Sequence, residues 1–144
     1  MNLWKNFPDD RTNYLEKAKN WVGGNDKSLR ILYLTFALES SDLSYEEQTS
    51  YLEELLNYTS PNYESSVRQN AFMNLFSMKL NDDILIKNLV NATTHHKWQF
   101  TKYSRDKIRS LLLNDEYRKQ FEQILLSLKD GEKTNLQNLL NEKP

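Results

Sequence analysis

Cysteine is absent from this 144-residue chain. That excludes disulfide frameworks, thiol nucleophiles and thiolate-ligated zinc, and leaves the compartment open, because reducing and oxidising surroundings both tolerate cysteine-free proteins. Glycine and proline are scarce, at three residues each, so few positions break a helix or set a tight turn. An excess of either charge is also missing. With 19 Lys and Arg against 20 Asp and Glu the net charge is -1, so no global field draws the chain to nucleic acid or acidic lipid, and such binding would need a local patch. The longest apolar run, ILYLTFAL from Ile31 to Leu38, falls far short of the roughly 20 residues that span a bilayer, and no membrane partner is expected. The opening MNLWKNFPDD carries no basic region followed by an apolar stretch, so it is no secretory signal. A cytoplasmic protein is expected, or a fragment of a periplasmic or secreted parent whose targeting signal lies elsewhere.

What is abundant is Leu, Lys, Glu, Gln and Asn, a composition that favours helix. The length suits one domain with a real core, 1-144, needing no staple or cofactor to fold. Between turn signals the apolar residues recur at three and four, the helical period, and about eight helices are expected. They run from Asp10 to Trp21, stopping at Gly23-Gly24; from Ser28 to Glu39; and from Ser44, in capping-box spacing with Glu47, to Asn57 before the TSPN turn at Pro61. The next spans Glu64 to Lys79, then Asp82 or Asp83 to Ala92, then His95 to Leu113 with Thr93 and Thr94 as its cap. The last two run from Asn114-Asp115 to Asp130-Gly131 and from Glu132 to Asn141.

A repeat sits within these segments. Leu29-Arg30, Tyr33 and Ala37 align with Val67-Arg68, Ala71 and Leu75, and more loosely with Phe100-Thr101, Ser104 and Ile108, at spacings of about 38 and 33 residues. One helix pair per unit fits that length. The segment 28–39 is apolar almost all round and must be covered on most sides, as happens in stacked helical pairs. The expected architecture is all-α: an α-α superhelix of antiparallel pairs, its interior supplied by Leu29, Leu32, Phe36, Val67, Ala71, Leu75, Phe100, Ile108, Leu111, Phe121 and Leu125.

Candidates for chemistry are few. His95 and His96 are adjacent, about 100° apart on a helix, whereas a helical zinc pair needs a spacing of four. No further histidine and no cysteine is present to complete a site, so the pair reads as polar residues of a first helical turn and no metal ligand is expected. No G-x-S-x-G elbow, P-loop or Rossmann fingerprint occurs. The acidic pairs Glu46-Glu47, Glu53-Glu54 and Asp82-Asp83 fall at helix starts or on exposed faces, where carboxylates favour the dipole or water. No catalytic or cofactor-binding residue is expected. One face of the segment 95–113 carries Trp98, Lys102, Arg105 and Arg109, with Lys97, Lys107, Arg118 and Lys119 nearby and Asp106, Asp115 and Glu116 interrupting. Such a stripe is a solvated face, a peptide or interdomain contact, or a phosphate-binding surface.

The stretches NDKSLRILYLTFAL, SSVRQNAFMNLF, NLVNATTHHKWQFTKYSRDKIRSLL and NDEYRKQFEQIL resemble the C-terminal helical, HEAT-like domain of aminopeptidase N-type zinc metallopeptidases, in the manner of the versions found in Bacteroidetes. The likeness covers about Tyr14 to Leu140 and rests on sequence texture, with V-R-x-x-A-x-x-x-L met in full only at 67 to 75. It implies a non-catalytic domain arching over the catalytic domain of the same polypeptide. The zinc would lie in that other domain on an H-E-x-x-H helix, and the hydrolase activity would be the parent's. None of the family's zinc ligands has a counterpart in this chain. The resemblance implies that Trp98, Lys102, Arg105 and Arg109 contact the catalytic domain or the peptide substrate, an arginine pairing with a substrate carboxylate in a partly shielded cleft. Two alternatives stand beside it: a free-standing HEAT-like protein-interaction scaffold, and a nucleic-acid-binding helical module.

Overall fold

The computed structural model describes residues 27–40 and 42–142. The expected helix from Asp10 to Trp21 and its stop at Gly23-Gly24 lie outside the described residues. Among the described residues the fold is all-helical: α1 (Ser28–Glu39), α2 (Tyr45–Asn57), α3 (Ser65–Ser77), α4 (Asp83–Ala92), α5 (Trp98–Leu111), α6 (Asp115–Ile124), a single 3-10 turn (Leu125–Ser127) and α7 (Asp130–Leu140). The chain divides into two compact units, Met1–Leu55 and Leu56–Pro144.

In the first unit, α1 buries Ile31, Tyr33, Leu34, Phe36 and Ala37. Thr35 is buried with them and donates its hydroxyl proton to the Ile31 carbonyl at 2.8 Å, so this polar side chain is satisfied within its own helix. Ser44 and Glu47 form the expected capping box: the Glu47 N–H donates to Ser44 Oγ, and the Ser44 N–H donates to Glu47 Oε1. Arg30 of α1 grips Glu54 of α2 with two bonds of 2.7 Å. One turn further along, the Tyr33 and Tyr51 rings meet edge to face at 5.9 Å.

The second unit is organised around α4. Its Leu85, Ile86, Leu89, Val90 and Ala92 are all fully buried, and it packs against α5, α6 and α7. Asp82 caps it, its carboxylate accepting from the Ile84 and Leu85 N–H groups. α3 packs against α5, and α5 against α7. Phe72 stacks on both Phe76 and Phe100, at 6.2 and 6.3 Å. α3 ends at Ser77, and two residues beyond it Lys79 takes the left-handed conformation (φ 57), while the Leu80 N–H reaches back to the Leu75 carbonyl. That position ordinarily goes to glycine.

Several expectations are corrected. Thr93 and Thr94 do not open a helix at His95; their hydroxyls donate back to the Val90 and Asn91 carbonyls and so close α4. α5 begins at Trp98 instead. α6 stops at Ile124 and passes into a 3-10 turn rather than running to Asp130. Gly131 is no breaker but the second residue of α7. Glu132 accepts the Lys129 N–H, and with Asp130 it places negative charge at the positive end of the helix dipole. Among the expected core residues, Phe36, Ala71, Leu75, Phe100, Ile108 and Phe121 are buried, whereas Leu29, Leu32, Val67, Leu111 and Leu125 are only half-buried. Buried nearby instead are Ile31 and Leu34 on α1, Leu112 just past the end of α5, and Ile124 at the end of α6.

A Cβ added at Gly131 would meet nothing nearer than Thr94 Cγ2 at 4.0 Å. Gly131→Ala is therefore expected to raise stability by about 0.5 kcal/mol through lost backbone freedom in the unfolded chain. Urea denaturation checks it, and a lowered midpoint would contradict it.

Candidate functional site

The repeat positions share an environment. Tyr33, Ala71 and Ser104 are buried, as are Ala37, Leu75 and Ile108. The arginine positions are used alike. Arg30 reaches a partner 24 residues on, at Glu54 in the next helix, and Arg68 reaches one 23 residues on, at Asn91 in the next helix. At the third copy Thr101 is buried and bonds within its own helix, to the Trp98 carbonyl.

Arg68 is 2% exposed, an uncommon place for a guanidinium. Its Nε donates to the Thr59 carbonyl at 2.8 Å. Its Nη2 donates to the Asn88 carbonyl at 3.2 Å and to Asn91 Oδ1 at 3.1 Å, and the group lies 5.2 Å from the centre of the Phe100 ring. Asn91 passes the interaction on, its Nδ2 donating to Glu132 Oε2 at 2.8 Å. Asn88 Nδ2 donates to Thr59 Oγ1, and Asn135 Nδ2 to the Thr93 hydroxyl and carbonyl. The result is a buried polar seam joining α3, α4 and α7, with the cation and the carboxylate bridged by an amide. Desolvation pushes the Arg68 pKa down to about 10, which leaves it cationic at neutral pH. The seam ties the helices to one another.

The two histidines lie in the connection before α5, not in its first turn. His95 Nδ1 accepts the Lys97 N–H at 3.0 Å, the service an N-terminal cap performs. Its ring stacks on His96 at 4.3 Å and meets the edge of Phe100 at 5.1 Å. Among the described residues no group of three or more His, Cys, Asp or Glu side chains is gathered as a metal would require. The His95 pKa is lowered by desolvation, then by the charges of His96, Arg68 and Lys97. The neutral ring is thus the form the fold favours, and its contribution fades as pH falls through the ordinary value of 6.5. An NMR titration is expected to show the His95 midpoint below 6.5; a midpoint at or above it would contradict the packing described.

The basic stripe of α5 is divided. Trp98 is 69% exposed and borders a hollow of about 420 Å³ with Ser65, Ser66 and Gln69 at the start of α3. Lys102 pairs with Asp106, and Lys107 lies over the Phe76 ring. Arg109 binds Asp106 and, with two bonds of 2.8 and 2.9 Å, both carboxylate oxygens of Glu142. The Lys102 bond, helped by Arg109, holds Asp106 below the usual carboxylate range, and the Arg109 bonds do the same for Glu142. Arg105 has no carboxylate partner among the described residues. Beside Arg109 opens a groove of about 520 Å³, formed by the end of α5, the start of α6 and the end of α7. A smaller hollow of about 280 Å³ shares Arg109, Leu139 and Glu142 with it and adds Arg105. Thus Arg105 and Arg109 come together at one site, while Trp98 lies at the other end of the helix. Arg118, one of the basic residues noted near the stripe, and Glu142, which no motif marked, complete the groove.

No helix of the described residues is long and apolar enough to cross a membrane. No protein-family model, curated protein or solved structure matches the chain.

Proposed function

We propose that the chain is a non-catalytic helical-repeat module that works by contact: the C-terminal cover of a zinc-dependent aminopeptidase of the N type, packed over the catalytic domain and touching peptide substrate at its cleft. The observation that carries this reading is the repeated clasp, in which an arginine of one helix reaches a polar side chain 23 or 24 residues on in the next helix, at Arg30 with Glu54 and at Arg68 with Asn91. Supporting it, helices two apart in the chain are neighbours, α3 with α5, α4 with α6 and α5 with α7. Contacts of this kind support an α-α superhelix of antiparallel pairs, in which each pair would cover the next. Zinc would belong to the parent's catalytic domain, which would also hold the general base.

The groove beside Arg109 favours a second reading, a free-standing HEAT-like scaffold. A nucleic-acid role has less support, because Asp106 and Glu142 already engage Lys102 and Arg109. On this reading a zinc-bearing domain precedes the chain in its parent, and the test mixes the purified chain with that domain produced separately. Co-elution on gel filtration, with altered turnover of long peptides and unaltered turnover of dipeptide substrates, is the expected result. Turnover by this chain alone with zinc added would overturn the non-catalytic reading. Binding to an oligonucleotide that weakens steeply with salt, as counterion release requires, would favour the nucleic-acid role.

A further inference from the structure

We propose that the groove between the end of α5 and the end of α7 binds a peptide segment carrying an acidic side chain next to an aliphatic one, with Glu142 acting as an internal competitor for the acidic position. This deepens the contact reading above and does not depend on an aminopeptidase parent.

Three features of the groove point to that ligand. The first is its apolar surface: Leu139 forms the floor at 5% exposure, and Leu113 stands at the rim at 81%. A large aliphatic side chain held that far into water is a contact in waiting when it lines a concave site. The second is charge. Arg105, Arg109 and Arg118 border the groove and its adjoining hollow. Neither Arg105 nor Arg118 has a carboxylate partner among the described residues, so the site carries uncompensated positive charge. The third is Glu142. It follows α7, which ends at Leu140, and its carboxylate sits on Arg109 in the two-bond fork geometry, Nε to Oε2 at 2.8 Å and Nη2 to Oε1 at 2.9 Å. A carboxylate is therefore already accommodated at this position, supplied by the chain itself. Because Glu142 is exposed and lies beyond the helix, a peptide carboxylate can replace it at little structural cost. A nucleic-acid backbone fits less well, since phosphates need a row of cations, whereas here Asp106 and Glu142 stand among the arginines and the floor is aliphatic.

The experiment uses the full chain and fluorescence anisotropy with a fluorescein-labelled, C-terminally amidated peptide of alternating aspartate and leucine, and its asparagine counterpart. The aspartate peptide is expected to bind at least about tenfold more tightly than the asparagine one, the scale of one charge-assisted fork. Arg118→Ala should weaken it by about tenfold, with Arg105→Ala as the second variant should the first fail to fold, and Glu142→Gln should tighten it several-fold by freeing Arg109. Equal affinity for the two peptides, an unchanged affinity in both arginine variants, or tighter binding of a poly-dT oligonucleotide would overturn the proposal. An unchanged affinity in Glu142→Gln would overturn the internal competition. Peptide binding without complex formation by the zinc-bearing domain would sink the aminopeptidase reading alone.

Discussion

Replacing Arg68 with methionine is expected to lower the unfolding free energy by about 3 kcal/mol, within the range found when a buried, hydrogen-bonded ionic group is removed. For a chain of this size that corresponds to a fall of roughly 10 °C in Tm. Methionine keeps the aliphatic stem and fills much of the volume, so the loss isolates the hydrogen bonds. The Thr59 carbonyl loses its Nε donor, and the Asn88 carbonyl and Asn91 Oδ1 lose the Nη2 donor they share. Asn91 would still donate to Glu132, but the carboxylate, 9% exposed, would lose the nearest cation of the seam. Arg68→Lys should recover only part of the loss, because an ammonium cannot span the Thr59 and Asn91 acceptors with the rigid fork of a guanidinium. Urea denaturation followed by circular dichroism measures both. A methionine variant within about 0.5 kcal/mol of the parent protein, the range of an ordinary surface substitution, would show that the seam does not hold α3, α4 and α7 together.

The second large effect is at Leu89. It lies at 0% exposure in the helix that packs against α5, α6 and α7, so truncation leaves a cavity inside the unit that surrounding groups fill only in part. Leu89→Ala is expected to cost about 3 kcal/mol, the middle of the range for buried leucines. Leu126→Ala serves as the comparison, since Leu126 is 85% exposed and its loss should change stability by less than about 0.5 kcal/mol. Similar costs at the two positions, measured by the same denaturation, would contradict the placement of α4 at the centre of its unit.

Much of this was legible in the residues and some could not be. The helical period and the capping signals placed α1, α2 and α4 closely, because Ser44 with Glu47 and Asp82 with the Ile84 and Leu85 N–H groups are local interactions that a short window contains. The repeat alignment picked out Arg30 and Arg68, yet nothing local to Val67-Arg68 marks the arginine as buried. Its burial depends on acceptors at Thr59, Asn88 and Asn91 that reach it only through the fold. The threonines before the histidines suit an N-cap by residue type, because a hydroxyl can serve either end of a helix; here both bond backward. Gly131 read as a breaker by residue type, although a glycine in a first helical turn costs little when its neighbours supply the cap. The α5 stripe was visible as a face, but its division was not, since Glu142 and Arg118 enter only when α6 and α7 fold back on α5.

The reading frame upstream of Met1 in the source genome tests the proposed role by contact most directly. It should run without a stop into a segment encoding H-E-x-x-H with a downstream glutamate, the zinc-bearing domain this module would cover. A stop codon directly upstream, with a ribosome-binding site placing translation initiation at Met1, would contradict it and leave the free-standing scaffold.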